Sequence, residues 1–248
     1  MRTVASLAAA VAIAILSIPA TVHAQSAQPR VRISVSGGVQ STASTVSDRI
    51  TFELNVETET IDVKYPKTPG VLVDVGFGVR LWKNLGVGIA VGHVTGDGTA
   101  DVTASVPHPF LFTQRTVTGK QGGLSREETD LHLQVQYAIP ASSRLRIVLG
   151  AGPSRLKLTQ DVVTDVNVTE TYPYDTAAFR DAVTKGASAS VSGFNAGLDV
   201  TWTLTRYVGF GGLVRYTRAD ADLDVRTDHR LSMKAGGAQG AAGIRFAF

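Results

Sequence analysis

Residues 71–81 read VLVDVGFGVRL, in which every odd-numbered residue is a large apolar one. The even-numbered residues, apart from Leu72, are small or charged, among them Asp74, Gly76 and Arg80. Because successive side chains of a β-strand point to opposite faces, the segment predicts a strand with one continuous apolar face. The apolar set comprises Val71, Val73, Val75, Phe77, Val79 and Leu81.

Seven more segments alternate in the same way, so the sequence predicts eight strands. In the fifth of them the polarity switches near Pro153, after which Leu156 and Leu158 form the apolar set. A β-bulge at Gly152-Pro153 is the expected cause, since proline is tolerated at bulges. The seven further segments are residues 31–40, 85–92, 131–139, 145–150, 194–204, 208–216 and 242–248.

The connections alternate between short and long, which predicts an up-and-down order of antiparallel strands. Short turns fall at 82–84, 140–143 and 205–206, and both ends of the mature chain then lie at the short-turn end. Within the first long segment, residues 50–54 also alternate and are expected to extend the barrel as a hairpin. The four long polar segments are 41–70, 95–127, 159–189 and 218–233.

The first 24 residues have the three-part pattern of a secretory signal peptide. Arg2 precedes an apolar run that ends near Ile18, Pro19 follows, and Val22-His23-Ala24 fits a cleavage site. The alternative is a membrane anchor, but the run is shorter than the roughly 20 residues that a helix needs to cross a bilayer. We therefore expect residues 1–24 to be removed and residues 25–248 to form one barrel.

Composition excludes several classes of protein. The chain has no cysteine among its 248 residues, so disulfides and thiolate sites are ruled out. Its net charge of +3 does not indicate nucleic acid, because a nucleic-acid site needs a clustered basic surface. The four long segments instead hold 17 acidic and 11 basic residues, so the basic excess lies in the strands, the turns and the N-terminal tail.

The distribution of apolar and polar faces favours a membrane barrel over a soluble one. In each predicted strand the apolar face is continuous and the opposite face is small or polar, as in strands of about ten residues that cross a bilayer. Aromatic residues near the short-turn end are expected to form an interfacial girdle, with core aromatics of a soluble barrel as the alternative. These aromatics are Trp82, Tyr137, Trp202, Tyr207, Phe246 and Phe248.

The chain ends in GIRFAF, in which Ile244, Phe246 and Phe248 alternate. This ending resembles the C-terminal assembly signal of bacterial outer-membrane β-barrels. The whole mature chain is similar in pattern to the small eight-stranded members of that group, the OmpA membrane domain, OmpX, OmpW and the opacity-type proteins. The resemblance implies a Gram-negative outer membrane, contact with its lipid, insertion by the barrel-assembly machinery, extracellular loops and periplasmic turns.

Charged residues on the inward parity form the main candidate site. In a narrow barrel they must be paired or hydrated. They are expected either to form a salt-bridge network that plugs the barrel, or to line a narrow, arginine-biased passage for small anions. The set comprises Arg32, Asp74, Arg80, Asp130, His132, Arg146, Asp199, Arg215 and Arg245.

Catalytic and metal-binding patterns are weak, so we predict no catalytic residues, no metal site and no cofactor. The mature histidines, His93, His108, His132 and His229, form no compact pattern with a serine, although Ser232 lies three residues after His229. Asp220, Asp222 and Asp224 alternate without the spacing of a calcium loop and are expected to be a solvated acidic rim, as are Asp161 and Asp165. The predicted role is structural or surface-interacting, toward an unidentified extracellular partner of the loops. The alternatives are a narrow porin-like channel, an OmpW-like conduit for apolar solutes and, remotely, a lipid-modifying enzyme.

Overall fold

A computed structural model describes residues 29–42, 44–54, 56–226 and 229–248. The predicted signal peptide, residues 1–24, lies outside these ranges. Within them no helix is long and apolar enough to cross a membrane. The described residues form ten strands: β1 (Val31–Thr42), β2 (Val46–Leu54), β3 (Glu57–Tyr65), β4 (Pro69–Trp82), β5 (Leu85–Pro107), β6 (Gln114–Pro140), β7 (Leu145–Glu170), β8 (Ala177–Thr203), β9 (Val208–Arg226) and β10 (His229–Ala247).

Eight of these strands close into an antiparallel ring, which confirms the predicted barrel. Each strand of the series β1, β4, β5, β6, β7, β8, β9 and β10 pairs with the next, and β10 pairs back with β1. Closure leaves no open sheet edge in the ring. The remaining strands, β2 and β3, form the hairpin expected around residues 50–54 and add to β5 beyond the start of β4.

The long segments differ from the sequence-based expectation, because most of their residues continue the strands. β7 has 26 residues and β8 has 27, against the roughly ten that a tilted strand needs to cross a bilayer. Two of the far connections, β5–β6 and β7–β8, are short and lie at residues 108–113 and 171–176. The short-turn end agrees with expectation, with turns at 83–84, 141–144 and 204–207.

A continuous apolar band surrounds the ring next to the short turns, and we call it the belt. Its side chains point outward and are widely exposed although they are aliphatic or aromatic. In a water-soluble protein such a surface would mark a contact with another apolar phase. The belt includes Val35, Val39, Val71, Val73, Val75, Phe77, Val87, Ile89, Val91, Leu131, Leu133, Val135, Leu149, Phe194, Phe210, Val214 and Ile244.

Beyond the belt the apolar side chains lie on the inner face and the polar side chains on the outer face. This inversion, and not a β-bulge, accounts for the change in polarity near Pro153. The pairing of β7 with β8 runs in one register through Gly152 and Pro153, so a bulge there is wrong. Leu156 and Leu158 point inward and are fully buried, while Lys157 between them is exposed. The strand keeps its geometry, and the change lies in its surroundings, from an apolar exterior to an aqueous one.

We call the part of the barrel beyond the belt the extension. There the ring separates into three ribbons, β2–β3–β5–β6, β7–β8 and β9–β10, because pairing between neighbouring ribbons ends at Arg126–Gln160, Phe194–Arg218 and Thr42–Gly237. The inner faces of the ribbons share one apolar core. Its buried members are Ile50, Ile61, Val63, Tyr65, Ala100, Val102, Ala104, Val106, Val117, Leu124, Leu156, Leu158, Val162, Val163, Ala187, Ala219, Ala221, Leu223, Val225, Leu231, Met233 and Ala235.

Candidate functional site

An ion pair between Arg215 and Asp74 lies at the centre of the barrel interior. The two side chains come from β9 and β4, which are three positions apart in the ring, and both are almost fully buried. The Arg215 Nε also donates a hydrogen bond of 2.6 Å to the Gln239 Oε1. The guanidinium is therefore held from two sides, as a buried charge requires.

A chain of amides and carboxylates extends this contact toward the extension. The Gln239 Nε2 donates to the Gln40 Oε1 at 2.5 Å and to the Asp130 Oδ2 at 3.2 Å. The Gln40 Nε2 in turn donates to Glu128 at 2.9 Å, and Glu128 forms an ion pair with Arg126. Since β10 and β6 are diametrically opposite in the ring, these contacts cross the whole interior. We call the set Asp74, Arg215, Gln239, Gln40, Asp130, Glu128 and Arg126 the cross-barrel network.

Sequence reasoning missed Gln40, Glu128, Arg126 and Gln239 in this network. The sequence does carry a signal for Glu128, since this residue shares the parity of Asp130. In the structure Glu128 lies buried on β6. It was not predicted because Glu128 lies between the expected loop, residues 95–127, and the expected strand, residues 131–139.

A second ion pair lies nearer the short-turn end. The Arg245 Nη2 is 2.7 Å from the Asp199 Oδ2, and the Arg245 Nη1 donates to the Ser36 Oγ at 2.8 Å. The other Asp199 oxygen accepts from the Thr201 hydroxyl at 2.9 Å. Both oxygens of Asp199 are thus engaged within the barrel.

The three remaining arginines of the predicted set lie together at the short-turn mouth. Arg32, Arg80 and Arg146 line one cavity there, with no Asp or Glu among its described lining residues. The Arg32 Nη2 donates to the Gln136 Oε1 at 2.8 Å. The structure thus divides the predicted charges into paired groups at the centre and an arginine cluster at the mouth.

His132 contacts a serine and approaches an aspartate, an arrangement with the composition of a catalytic triad. Its Nδ1 lies 2.8 Å from the Ser154 Oγ, and its Nε2 lies 3.8 Å from the Asp130 Oδ2. Both His132 and Asp130 are fully buried and Ser154 nearly so. A nucleophile must reach its substrate, and this serine is buried inside the barrel.

The other histidines are separated from one another. His93 is exposed on the outer face of β5 and contacts the Thr129 hydroxyl at 3.1 Å. The His229 Nε2 lies 2.7 Å from Asp48, and Ser232 is exposed on the opposite face of β10. Since residues three apart on a strand point in opposite directions, His229 and Ser232 do not form a pair.

The alternating aspartates of β9 lie on its outer face, and two of the three are paired with cations of β10. Asp220 forms an ion pair with Lys234, which lowers the pKa of Asp220, and Asp224 pairs with Arg230 at 2.8 Å. Asp222 lies opposite Ser232. Among the described residues no three acidic or histidine side chains converge as metal ligands do.

An aromatic cluster forms the far tip of the extension, where the β5–β6 and β7–β8 connections meet. The rings of Phe110 and Tyr174 are 5.7 Å apart, and those of Tyr172 and Tyr174 are 6.0 Å apart. Phe112, Tyr172 and Phe110 are 88%, 80% and 75% exposed, and Leu111 lies between the two phenylalanines. We call these residues, 110–112 with 172 and 174, the tip.

Buried polar side chains hold the tip in place. Arg115 is buried, forms an ion pair with Glu170, and donates to the Tyr174 carbonyl at 2.9 Å and the Pro107 carbonyl at 2.8 Å. The His108 Nδ1 accepts hydrogen bonds from the main-chain N–H groups of Phe110 and Leu111 at 3.1 and 3.0 Å. Two separate connections are thereby fixed to each other while their aromatic rings face solvent.

Comparisons with known proteins identify the fold. No protein-family model matches the chain, and no curated protein matches it in sequence. Among solved structures, the outer membrane protein OprG from Pseudomonas aeruginosa matches with a TM-score of 0.50 and 12% identity, covering 89% of this chain and 97% of OprG. This chain has the fold of an outer-membrane β-barrel.

A second outer-membrane barrel of similar shape is the protease OmpT from Escherichia coli. It matches with a TM-score of 0.50 and 8% identity, covering 91% of this chain and 99% of OmpT. At such identities the likeness concerns the fold alone. Of OprG and OmpT, OmpT is a protease.

The outer-membrane barrel fold accounts for the belt, whose exposed aliphatic side chains would face lipid. The predicted girdle residues Trp82, Tyr137, Trp202 and Tyr207 are all exposed at the short-turn end of the belt. Tyr207 stacks on Phe248 with ring centroids 6.0 Å apart, and the side-chain nitrogen of Lys83 lies 4.9 Å from the Trp82 ring.

The chain end takes part in closing the outer-membrane barrel. Ile244 and Phe248 point outward and are half exposed, with Phe246 less exposed between them. The Phe248 carbonyl accepts hydrogen bonds from the N–H groups of Arg30 and Val31 at 2.6 and 2.9 Å. Its role as an assembly signal for the barrel-assembly machinery stays a prediction.

Proposed function

We propose that this chain is a non-catalytic surface-interaction protein of the bacterial outer membrane. In this proposal the extension stands outside the cell, both mature ends lie in the periplasm, and the tip meets the extracellular partner. The observation that carries the proposal is the tip, in which exposed aromatic rings are held in place by the buried Arg115 and His108. Aromatic side chains supply much contact area at low entropy cost, and so they dominate binding surfaces.

The core of the extension supports a role that needs a rigid platform. Its inner faces bury aliphatic side chains as a soluble domain does, and Leu156, Leu158 and Val162 are fully buried. Flexible loops would pay an ordering cost on binding, and packed ribbons avoid most of it. The tip is therefore presented at the end of a packed structure, beyond the belt.

The cross-barrel network argues against an open pore. Its contacts join opposite strands of the ring, and the apolar core fills the extension beyond it. An ion crossing the barrel would have to break the buried Arg215–Asp74 pair, which is costly. A salt-bridge plug is thus favoured over the arginine-biased passage considered from the sequence.

A cleft in the barrel wall is the one feature that favours the alternative function, a conduit for small or apolar solutes. It has a volume of about 40 Å³, and its apolar lining includes Val46, Tyr65, Val94, Leu124 and Met233. It lies where the partner of β5 changes from β4 to β3. Arg126, which pairs with Glu128 of the cross-barrel network, is among its lining residues, so we expect the cleft to end at that network.

The test uses bacteria that display the protein. Adherence to epithelial monolayers, to polystyrene and to cells of the same strain is compared for wild type, empty vector and a tip variant combining Phe110→Ser, Phe112→Ser and Tyr172→Ser. Val56→Ser is the matched control, because Val56 is 94% exposed at the β2–β3 turn and lies outside the tip. Surface antibody labelling checks that all variants are displayed equally.

We expect wild type and Val56→Ser to adhere above empty vector to at least one of the three surfaces, and the tip variant to lose that adherence. Two results contradict the proposal. One is that wild type equals empty vector on all three surfaces, and the other is that the tip variant adheres as well as wild type.

A further inference from the structure

The short-turn mouth of the barrel contains a cavity whose lining is strongly cationic. The cavity has a volume of about 40 Å³, and four arginines line it, Arg30, Arg32, Arg80 and Arg146. None of its described lining residues is acidic, and Asn84 and Gln136 are its amide side chains. Such a lining attracts anions, because partial burial weakens the screening of its positive charge by water.

The barrel frame brings these arginines together from different parts of the chain. Arg32 belongs to β1, Arg80 to β4 and Arg146 to β7, and Arg30 immediately precedes β1. The main-chain N–H of Arg80 donates to the Arg30 carbonyl at 2.8 Å, which ties the entering chain to β4. The Arg32 guanidinium is oriented by Gln136 at 2.8 Å, so it is positioned before any ligand arrives.

The charges that act on Arg32 and on Arg146 differ in sign. Asp199 attracts Arg32, but the Asp199 oxygens are already engaged by Arg245 and Thr201. Arg146 is repelled by both Arg32 and Arg80. A bound anion would offset the repulsion that acts on Arg146.

We propose that the short-turn mouth binds a small oxyanion, a phosphate group, through the guanidinium groups of Arg32 and Arg146, with Arg80 adding positive charge on the same cavity wall. Guanidinium groups form paired, charge-assisted hydrogen bonds with phosphate oxygens, so two of them facing one cavity can hold a tetrahedral anion. The phosphate could be free in solution or belong to a lipid headgroup at the end of the barrel. This inference does not depend on the tip.

The first experiment measures phosphate binding by isothermal titration calorimetry on the full barrel in an uncharged detergent. Inorganic phosphate and chloride are compared at equal ionic strength for wild type, Arg146→Gln and Arg80→Gln. Arg144→Gln is the matched control, because Arg144 is exposed in the same turn region and does not line the cavity. Dihexanoyl phosphatidylglycerol is titrated in a parallel arm to separate a lipid headgroup from free phosphate.

We expect wild type and Arg144→Gln to bind one of the two phosphate compounds, and Arg146→Gln and Arg80→Gln to bind it at least tenfold more weakly. Tighter binding of the lipid would assign the site to a headgroup, and tighter binding of inorganic phosphate to a soluble anion. The proposal is overturned if wild type binds neither compound, or if Arg146→Gln binds as tightly as Arg144→Gln.

Thermal unfolding without phosphate gives a second readout that a purely structural arginine would not share. Removing one charge from a cluster of like charges relieves repulsion, so Arg146→Gln should unfold at the same or a higher temperature than wild type in chloride. Adding whichever phosphate compound wild type binds more tightly should raise the unfolding temperature of wild type more than that of Arg146→Gln. A lower unfolding temperature for Arg146→Gln in chloride would contradict the proposal.

Discussion

Replacing Arg215 by methionine should strongly destabilise the barrel, because it leaves Asp74 buried without its cation. Both side chains are about 2% exposed, and they join strands on different sides of the ring. Breaking a buried pair by removing one partner costs about 3–5 kcal/mol, since the remaining charge is uncompensated. The double variant Asp74→Asn with Arg215→Met should recover most of this loss, since no buried charge of the pair remains.

The assay is reversible urea unfolding in lipid vesicles, followed by the fluorescence of Trp82 and Trp202. A double-mutant cycle of the two single variants and the double variant should give a coupling energy of about 2 kcal/mol or more. Residues without a shared contact add within about 0.5 kcal/mol. Additive effects within that limit would refute the proposed role of the pair, as would a loss below about 1 kcal/mol for Arg215→Met.

Three further predictions concern the extension and the belt. Burial, with a contribution from the charge of Asp165, raises the pKa of Glu59 from 4.5 to about 7, so the folded state holds this proton more tightly than the unfolded state. Stability should be full below about pH 4.5 and fall as the pH rises through 7, and Glu59→Gln should remove that slope in unfolding curves taken between pH 4 and 8. An unchanged slope would contradict this. Leu158→Ala should cost about 2–5 kcal/mol in urea unfolding, because Leu158 is fully buried, whereas the exposed Lys157→Ala should cost less than about 0.5 kcal/mol. Equal losses would refute an apolar core in the extension. Val75→Arg should cost about 2–4 kcal/mol for folding into vesicles, because Val75 lies on the belt. A neutral effect would mean that this position does not face lipid.

The sequence predicted the ring well because alternation over the belt is unambiguous. In residues 71–81 every outward side chain is apolar, and the strand formed as expected. The short turns followed from the spacing of these segments. The β2–β3 hairpin was predicted as well, since residues 50–54 alternate in polarity as a strand does.

The extension was predicted poorly because the apolar face of each strand points outward in the belt and inward in the extension. Past Pro153 the apolar residues fall on the other parity, which from sequence alone looks like a register change. Mixed polar segments such as residues 159–170 looked like loops because polar residues occur on both of their faces, among them the inward Gln160. A strand in water with a buried inner face has this composition, so a reversed parity after a membrane strand is a usable signal.

The tip and the cross-barrel network could not be predicted, because their contacts join residues that are far apart in sequence. Phe110 meets Tyr174, and Gln239 meets Gln40 across almost the whole chain. Strand parity indicates that a side chain points inward, but the partner depends on the stagger of the strands around the ring. Parity therefore gave the inward arginines without distinguishing Arg215, which is paired, from Arg146 at the mouth.

Single-channel recording of the purified wild-type barrel in a planar lipid bilayer tests the closed interior most directly. The cross-barrel network and the apolar core predict a bilayer that stays electrically silent after insertion, in chloride and in phosphate buffer alike. Reproducible conductance steps from the correctly folded protein, verified by its heat-dependent mobility in detergent gels, would contradict the account.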